Sequence, residues 1–556
     1  MDTSTFRRFT LVSLLLIFSP LPLYAVMAFK SGDWTTGFLG LALSAGLCFL
    51  YWWPLGIFLA WFKGHTLPRL LFGYLLSLPL YFITLAALYP LFGGAFRPWA
   101  NGNLLIYLSA TPEFYVMVWI LFYLSRRLAR GVLMASAAVF TAGWAMPLLL
   151  MNTGNLVWPK TQDRVAITGA RIVDTAAGRI EEGQTIYIKD GRIVEIGPLS
   201  QHPDWPQLDA QGQYLLPGLI DVHTHLQSPI ELPAGFSPLY FFKSMLRDYA
   251  PQREEYLAAG VTSIRDLGGP ADFGFALRSR IGEHKILGPR LFFVGRLVTS
   301  PHGHPVSTIW NAAEARQGAI LARDENTLFE GLNRNLAAGP DAVKFIHGTI
   351  GRASEELSAD LLAKGVRWSG EHHLISIVHA ETEQEFEDAI GAGATGVEHA
   401  AYLQEVPAAL AALVAQTHPF IDPTFGEYAM DLTMNNLAAA DRDRRLECSY
   451  KSARALYSAG ARMVVGTDAP MVRYGSGLHN EFAHFVRAGF RPEEILAFAT
   501  VNNAAYLGKA AELGRVAAGY RADLILTKDN PFTKLDTLRH PVWTMLDGQV
   551  VSRGGK

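Results

Sequence analysis

Cysteine is nearly absent from this 556-residue chain, which holds only Cys48 and Cys448. The two lie in regions of unlike character, so no disulfide framework is expected and each reads as a small buried hydrophobe. An excess of one charge is also missing. Lys and Arg number 48 against 50 Asp and Glu, a net charge of −2, with no basic face suited to nucleic acid and no acidic tail. No glycine-rich dinucleotide fingerprint opens the first strand–helix unit, which argues against a doubly wound open sheet. Nothing resembles a repeated transporter core.

Long apolar runs are present, and they are unevenly spread. Mean hydropathy is +0.16, and residues 1–155 hold nearly all of the excess. Five segments, roughly 10–29, 36–61, 69–92, 103–124 and 131–151, reach the about 20 residues that a helix needs to cross a bilayer. An uncleaved anchor is expected rather than a signal peptide, because further apolar spans follow the first directly. Arg7, Arg8, Lys63, Arg69, Arg126, Arg127 and Arg130 fall on one side, against Lys30 and Arg97 on the other. That asymmetry predicts a cytoplasmic N-terminus in an inner (plasma) membrane, and five spans then put the rest of the chain outside the cytoplasm. Glu113 inside the fourth span is read as a hydrogen-bonded glutamate between helices, with a functional role as the alternative. Trp52 and Trp53 are read as packing or interface anchors.

Composition changes across Asn152–Asp163. Three short β-type runs follow, with Gly and Asp turns, and similar runs return near the C-terminus. One small β-sandwich built from 164–215 and 513–556 is expected. Between its halves, strand-like and helical runs alternate: GLIDVHTHL, VTSIRDL, RLFFVGRLV, AVKFIHG, LISIVHAE, GVEHA, PFIDPTF and ARMVVGTDAP. Eight such strands predict an α/β fold with a (β/α)8 TIM-like barrel over 216–512, preceded by the transmembrane helical region 1–155.

The metal-capable residues sit late in these runs. His223 and His225 end the first, Lys344 lies in the fourth, His379 ends the fifth, His399 the sixth and Asp468 the eighth. In a barrel those ends converge on the face where catalytic groups gather. His-x-His on a strand points both imidazoles the same way, which suits a divalent metal. Singly, each histidine reads as a core residue, Asp468 as a turn cap and Lys344 as an ion-pair partner. Together they predict a metal site. Lysine is a poor ligand until its neutral amine adds CO2, giving a carbamate whose two oxygens can bridge two metals; burial favours that neutral amine.

In this order, GLIDVHTHL, VTSIRDLGG, VKF, VHAE, GVEHA, GTDAP, ATVNNAAYLG and GYRADLIL resemble the amidohydrolase superfamily over about 165–550. The likeness is greatest to its imidazolonepropionase-like group and to binuclear Xaa-Pro dipeptidase-type members. The resemblance implies one metal on His223, His225 and Asp468, a second on His379 and His399, and carboxylated Lys344 with a hydroxide bridging them. Two zinc ions are the default, with manganese, iron or cobalt compatible. It further implies hydrolysis of an amide, peptide or cyclic-amide C–N bond in a small molecule, by attack of the bridging hydroxide, with Asp468 moving the proton. SPHGHP replaces the expected third-strand loop, leaving His302 and His304 as candidates for substrate or oxyanion contacts. The loop GTIGRASEELS lacks the tyrosine that dipeptide recognition implies, and its Arg352 is a candidate for an anionic substrate group or a salt bridge. His347, Arg265 and His479 receive no role. Two other functions stay open: a mononuclear deaminase of the same fold, and a catalytically silent membrane receptor or transport-associated module.

Overall fold

The computed structural model describes residues 158–159, 163–226, 249–310, 312–348 and 355–554. The chain divides into two units, Met1–Gly154 and Asn155–Lys556, and every described residue belongs to the second. The five apolar spans, Glu113, Trp52, Trp53 and Cys48 lie outside the described residues. Among those described, no helix is long and apolar enough to cross a membrane. Cys448 is unpaired and half-buried rather than buried, because it sits on the helix Ala439–Ser458 outside the stripe that faces the core.

Two antiparallel-rich sheets face each other at one end of this unit. One orders Arg192–Gly197, Thr185–Lys189, Arg164–Thr168 and Gln207–Asp209. The other joins both ends of the sequence: Gln549–Arg553, Trp543–Leu546 and Leu524–Thr527 continue into Tyr214–Pro217, Arg171–Asp174 and Arg179–Glu181. Val165, Ile167, Ile186, Leu215, Leu524 and Trp543 form their shared core. Two of the hairpins close on Asp190-Gly191 and Asp547-Gly548. All four residues have positive φ, the Asp-Gly chemistry that a two-residue turn matched to strand twist requires.

Parallel strands alternating with helices make up the rest, and we number the strands in barrel order. They are β1 (Leu219–Thr224), β2 (Val261–Asp266), β3 (Arg290–Phe293), β4 (Ala342–Ile346), β5 (Ile375–His379), β6 (Gly396–Glu398), β7 (Phe420–Asp422) and β8 (Arg462–Met463). Ladders join β1 to β2 to β3, and β4 through β8 in sequence. Between β3 and β4, Asp341 N donates to Phe293 O at 3.0 Å. The ring closes where the chain beyond β8 meets β1: Thr224 bridges Ala469 in parallel, and Asp468 N donates to His223 O at 2.8 Å. These parallel sheets fit a TIM-like barrel, and β1, β2, β4 and β7 are buried along their whole length, as strands covered on both faces must be.

One predicted strand is broken. RLFFVGRLV forms β3 and then, past Gly295, a separate strand Leu297–Thr299. Gly295 has φ 74°, and the bend is held by Asn335, which donates to Val294 O at 2.9 Å and accepts from Arg296 N at 3.1 Å. The second piece pairs with both β4 and an extra strand, Ala319–Leu321. A buried apolar run shows no sign of such a kink except the glycine itself.

Candidate metal centre

The C-terminal ends of β1, β4, β5, β6 and β8 bring the six sequence-selected residues into one neighbourhood. Nε2 of His223 and Nε2 of His225 lie 3.3 and 3.2 Å from the same Asp468 oxygen, Oδ1. Ligand atoms of these three groups all fall within 4.8 Å of one another. Ring centroids of His223 and His399 are 5.0 Å apart, and those of His379 and His399 are 4.1 Å apart. Lys344 acts electrostatically on His223, His379 and His399 alike.

Burial sets the protonation of these groups. It pushes His379 and His399 far below the ordinary imidazole range, with help from Lys344 for the first and from His379 for the second. The neutral ring is the form that ligates a metal. Burial likewise lowers Lys344, toward the free amine. For Asp468 burial works against ionisation, but His223 and His225 beside it hold the carboxyl well below its usual range. Lys344 Nζ and His379 Nε2 are buried without a hydrogen-bond partner among the described residues. The neutral rings of His379 and His399, an ionised carboxylate and unsatisfied buried nitrogens fit a divalent cation, whereas Asp468 and Glu398 raise His223 well above the ordinary imidazole range against the pull of burial.

Local backbone geometry makes the cluster possible. His399 (φ 67°), Thr424 (φ 50°) and Asp468 (φ 54°) all adopt left-handed conformations just beyond their strands. Non-glycine residues hold such conformations at a cost of about 1 kcal/mol or more, typically where function requires it. At His399 the turn redirects the chain, so that both Glu398 and His399 reach the site. Strand alternation alone sends neighbours to opposite faces, and for that reason Glu398 escaped the sequence reading. Asp422, Glu427 and Glu381 were missed too. Glu427 Oε2 lies 3.9 Å from His399 Nδ1, Glu381 Oε1 lies 3.4 Å from His379 Nε2, and Tyr402 donates to Glu427 Oε1 at 3.1 Å. A helix beginning immediately after β7, Phe425–Met434, carries Glu427 back to the mouth, and no strand pattern signals that.

The remaining candidates separate. The His304 ring lies 5.8 Å from His379 and is pushed down to about 3 by burial and the neighbouring His379. His302 is exposed on the same turn. His347 is buried, tied to Leu357 O at 2.6 Å and to Asp388 at 3.3 Å. His479 contacts Ala259 O at 2.9 Å. Arg352 lies outside the described residues.

The amidohydrolase family profile matches residues 214–551, which is more than half of the chain. The chain belongs to the amidohydrolase family. Adenine deaminase 2 of Agrobacterium fabrum is 25% identical over 410 residues, 70% of this chain and 57% of that protein. A structure of an Xaa-Pro dipeptidase with bound methionine superposes with TM-score 0.60 at 21% identity, covering 70% of this chain and all of that one. A putative prolidase from Bifidobacterium longum superposes with TM-score 0.59 at 26% identity, covering 71% and 95%. The chain spans little more than half the length of the adenine deaminase relatives. In this amidohydrolase, His223, His225 and Asp468 form one group of side chains close enough to hold a metal ion, and His399, Glu427 and Asp468 form another.

Proposed function

We propose that this chain is a membrane-anchored, metal-dependent hydrolase that cleaves a carbon–nitrogen bond in a small amide, peptide or cyclic amide. The observation that carries this reading is the meeting of His223, His225 and Asp468 around a common point, with the His399 and His379 rings close beside them. His223, His225 and Asp468 would hold one metal, His379 and His399 the other, and carboxylated Lys344 would join them. Bound divalent metals supply Lewis acidity, polarising a carbonyl and lowering the pKa of water toward neutrality.

The chain's own groups do the rest. Asp468, held ionised, accepts the proton of the attacking water and passes it to the leaving nitrogen. His304, neutral and beside His379, is placed to donate to the substrate carbonyl oxygen as charge develops there. The buried Lys344 amine adds to CO2 and releases a proton, leaving an anionic carbamate. Zinc is the default metal, and manganese, iron or cobalt also suit this nitrogen and oxygen set. From its charge asymmetry, the 1–155 region anchors the hydrolase in a bacterial inner membrane with 164–556 outside the cytoplasm.

A second reading, deamination of an adenine-like base at a mononuclear site, is supported by the likeness to Adenine deaminase 2. Assaying metal-loaded protein against dipeptides, acyl-amino acids, cyclic imides and adenine separates the two. Metal per chain should fall in Lys344→Ala. Full metal content and activity in that variant would remove the bridging role. Digestion of the 164–556 region by external protease in outer-membrane-permeabilised cells tests the orientation, and protection from it overturns that assignment.

A further inference from the structure

Behind His223, on the side away from Asp468, lies a buried group of residues to which the metal reading assigns no role. Nδ1 of His223 is 2.7 Å from Glu398 Oε2, while Nε2 faces Asp468. The other Glu398 oxygen, Oε1, accepts from the Tyr506 hydroxyl at 2.9 Å and has Arg265 Nη2 at 3.6 Å. Arg265 is itself fixed. Its Nε donates to Val222 O at 2.9 Å, Nη1 donates to Tyr506 O at 3.0 Å, and the guanidinium stands 4.0 Å from the Tyr506 ring centroid. His223, Glu398, Arg265 and Tyr506 are each no more than 1% exposed, so solvent does not compete for these bonds.

We propose that Glu398, braced by Arg265 and Tyr506, is a positioning residue that fixes the tautomer and ring plane of His223. The argument is one of donors and acceptors. Glu398 receives a hydroxyl donor on one oxygen, faces a guanidinium there, and presents the other oxygen to the imidazole. The ring must then donate from Nδ1. The neutral ring that holds a metal carries one N–H, and with Glu398 keeping that proton on Nδ1 it is Nε2, on the Asp468 side, that gives up its proton and offers a lone pair to the metal. A carboxylate behind a ligating histidine also strengthens the ring as an electron donor.

Two neighbours sharpen the assignment. Asp422 Oδ2 is 3.7 Å from the same Nδ1, beyond hydrogen-bond reach, so Glu398 and not Asp422 sets the tautomer. His223, Glu398 and Asp422 are mutually close enough to hold a cation, but Nδ1 is already committed to Glu398. At the other metal position, His399 Nδ1 faces the Thr424 hydroxyl at 2.9 Å. A hydroxyl both donates and accepts, so it imposes no tautomer. The His223 side is therefore the more rigidly prepared half of the site.

This inference rests on the metal-dependent reading, and the experiment separates the two. Metal affinity of the full-length, detergent-solubilised protein is measured by chelator competition with zinc, alongside melting of the metal-free form, for wild type, Glu398→Gln, Tyr506→Phe and Thr424→Val. Glutamine keeps the shape but offers one carbonyl oxygen to two donors. Glu398→Gln should weaken zinc binding about 10- to 100-fold. Tyr506→Phe should weaken it less, with metal-free melting unchanged, and Thr424→Val least. On loaded enzyme, kcat should fall in the same order with KM held. Wild-type affinity in both Glu398→Gln and Tyr506→Phe overturns the positioning role, and if Glu398→Gln does not fold, Tyr506→Phe decides alone. A wild-type protein that binds no zinc sinks the metal reading instead.

Discussion

Two clusters of buried charge lie at opposite ends of the barrel strands, and they are satisfied in different ways. At the strand starts, Arg290 bonds Asp523 at 3.0 Å and Asp547 at 2.8 Å. Arg521 and His284 add donors to Asp547 at 3.0 and 3.1 Å, and Asp547 N donates to Asp523 at 2.9 Å. Every carboxylate oxygen there has a donor. At the strand ends, Lys344 Nζ, His379 Nε2, Asp422 Oδ2 and Glu427 Oε2 are buried without a hydrogen-bond partner among the described residues. Each such atom costs about 1–3 kcal/mol. The first cluster is what folding needs to join barrel and sandwich. The second lowers stability, and a bound cation would satisfy it.

If that contrast is right, the two ends should fail differently. The largest effect is expected at the mouth: Asp468→Asn should lower kcat/KM by about 10²–10⁴-fold, the range of a lost general base, with little change in melting temperature. An Asn variant of near wild-type rate would erase the distinction. At the floor, Arg290→Met takes from buried Asp523 its paired guanidinium and leaves Asp547 to Arg521 and His284, and should destabilise by about 3 kcal/mol, measured by denaturant titration, with metal stoichiometry unchanged.

Acid should sharpen the comparison further. His479 lies away from the mouth, and burial lowers it to about 4 from an unfolded value near 6.5. The unfolded chain binds this proton first, so the contribution is complete above pH 6.5 and is lost as pH falls toward 4. It amounts to about 3 kcal/mol at most. Melting curves of His479→Gln against wild type should converge across that window, and parallel curves would refute the assignment. The smallest change expected is at the β3 kink. Gly295→Ala places a Cβ against Asn335 at φ 74° and should cost about 1–2 kcal/mol in thermal melts, leaving the metal site intact.

Much of the barrel was legible because parallel strands buried on both faces must be apolar throughout, and β1 to β8 announce themselves as such runs. The six candidate ligands were legible because each follows an apolar run. His302 and His304 could not be told apart in sequence, since two histidines on one turn differ only in the direction each faces. The kink at Gly295, with its added strand Ala319–Leu321, was equally hidden, because it depends on Asn335 from a distant helix.

The order of residue types along the chain determined a parallel α/β architecture, the family and a set of metal-capable side chains at strand ends, because periodicity and position are local properties. Which carboxylates support those side chains was decided in three dimensions. Glu398 turns inward with its neighbour only through the left-handed backbone of His399, and Arg265 and Tyr506 reach it from 133 and 108 positions away in the sequence. Such contacts have no local signature, because they arise from closing the strands into a ring and not from the pattern of any one of them.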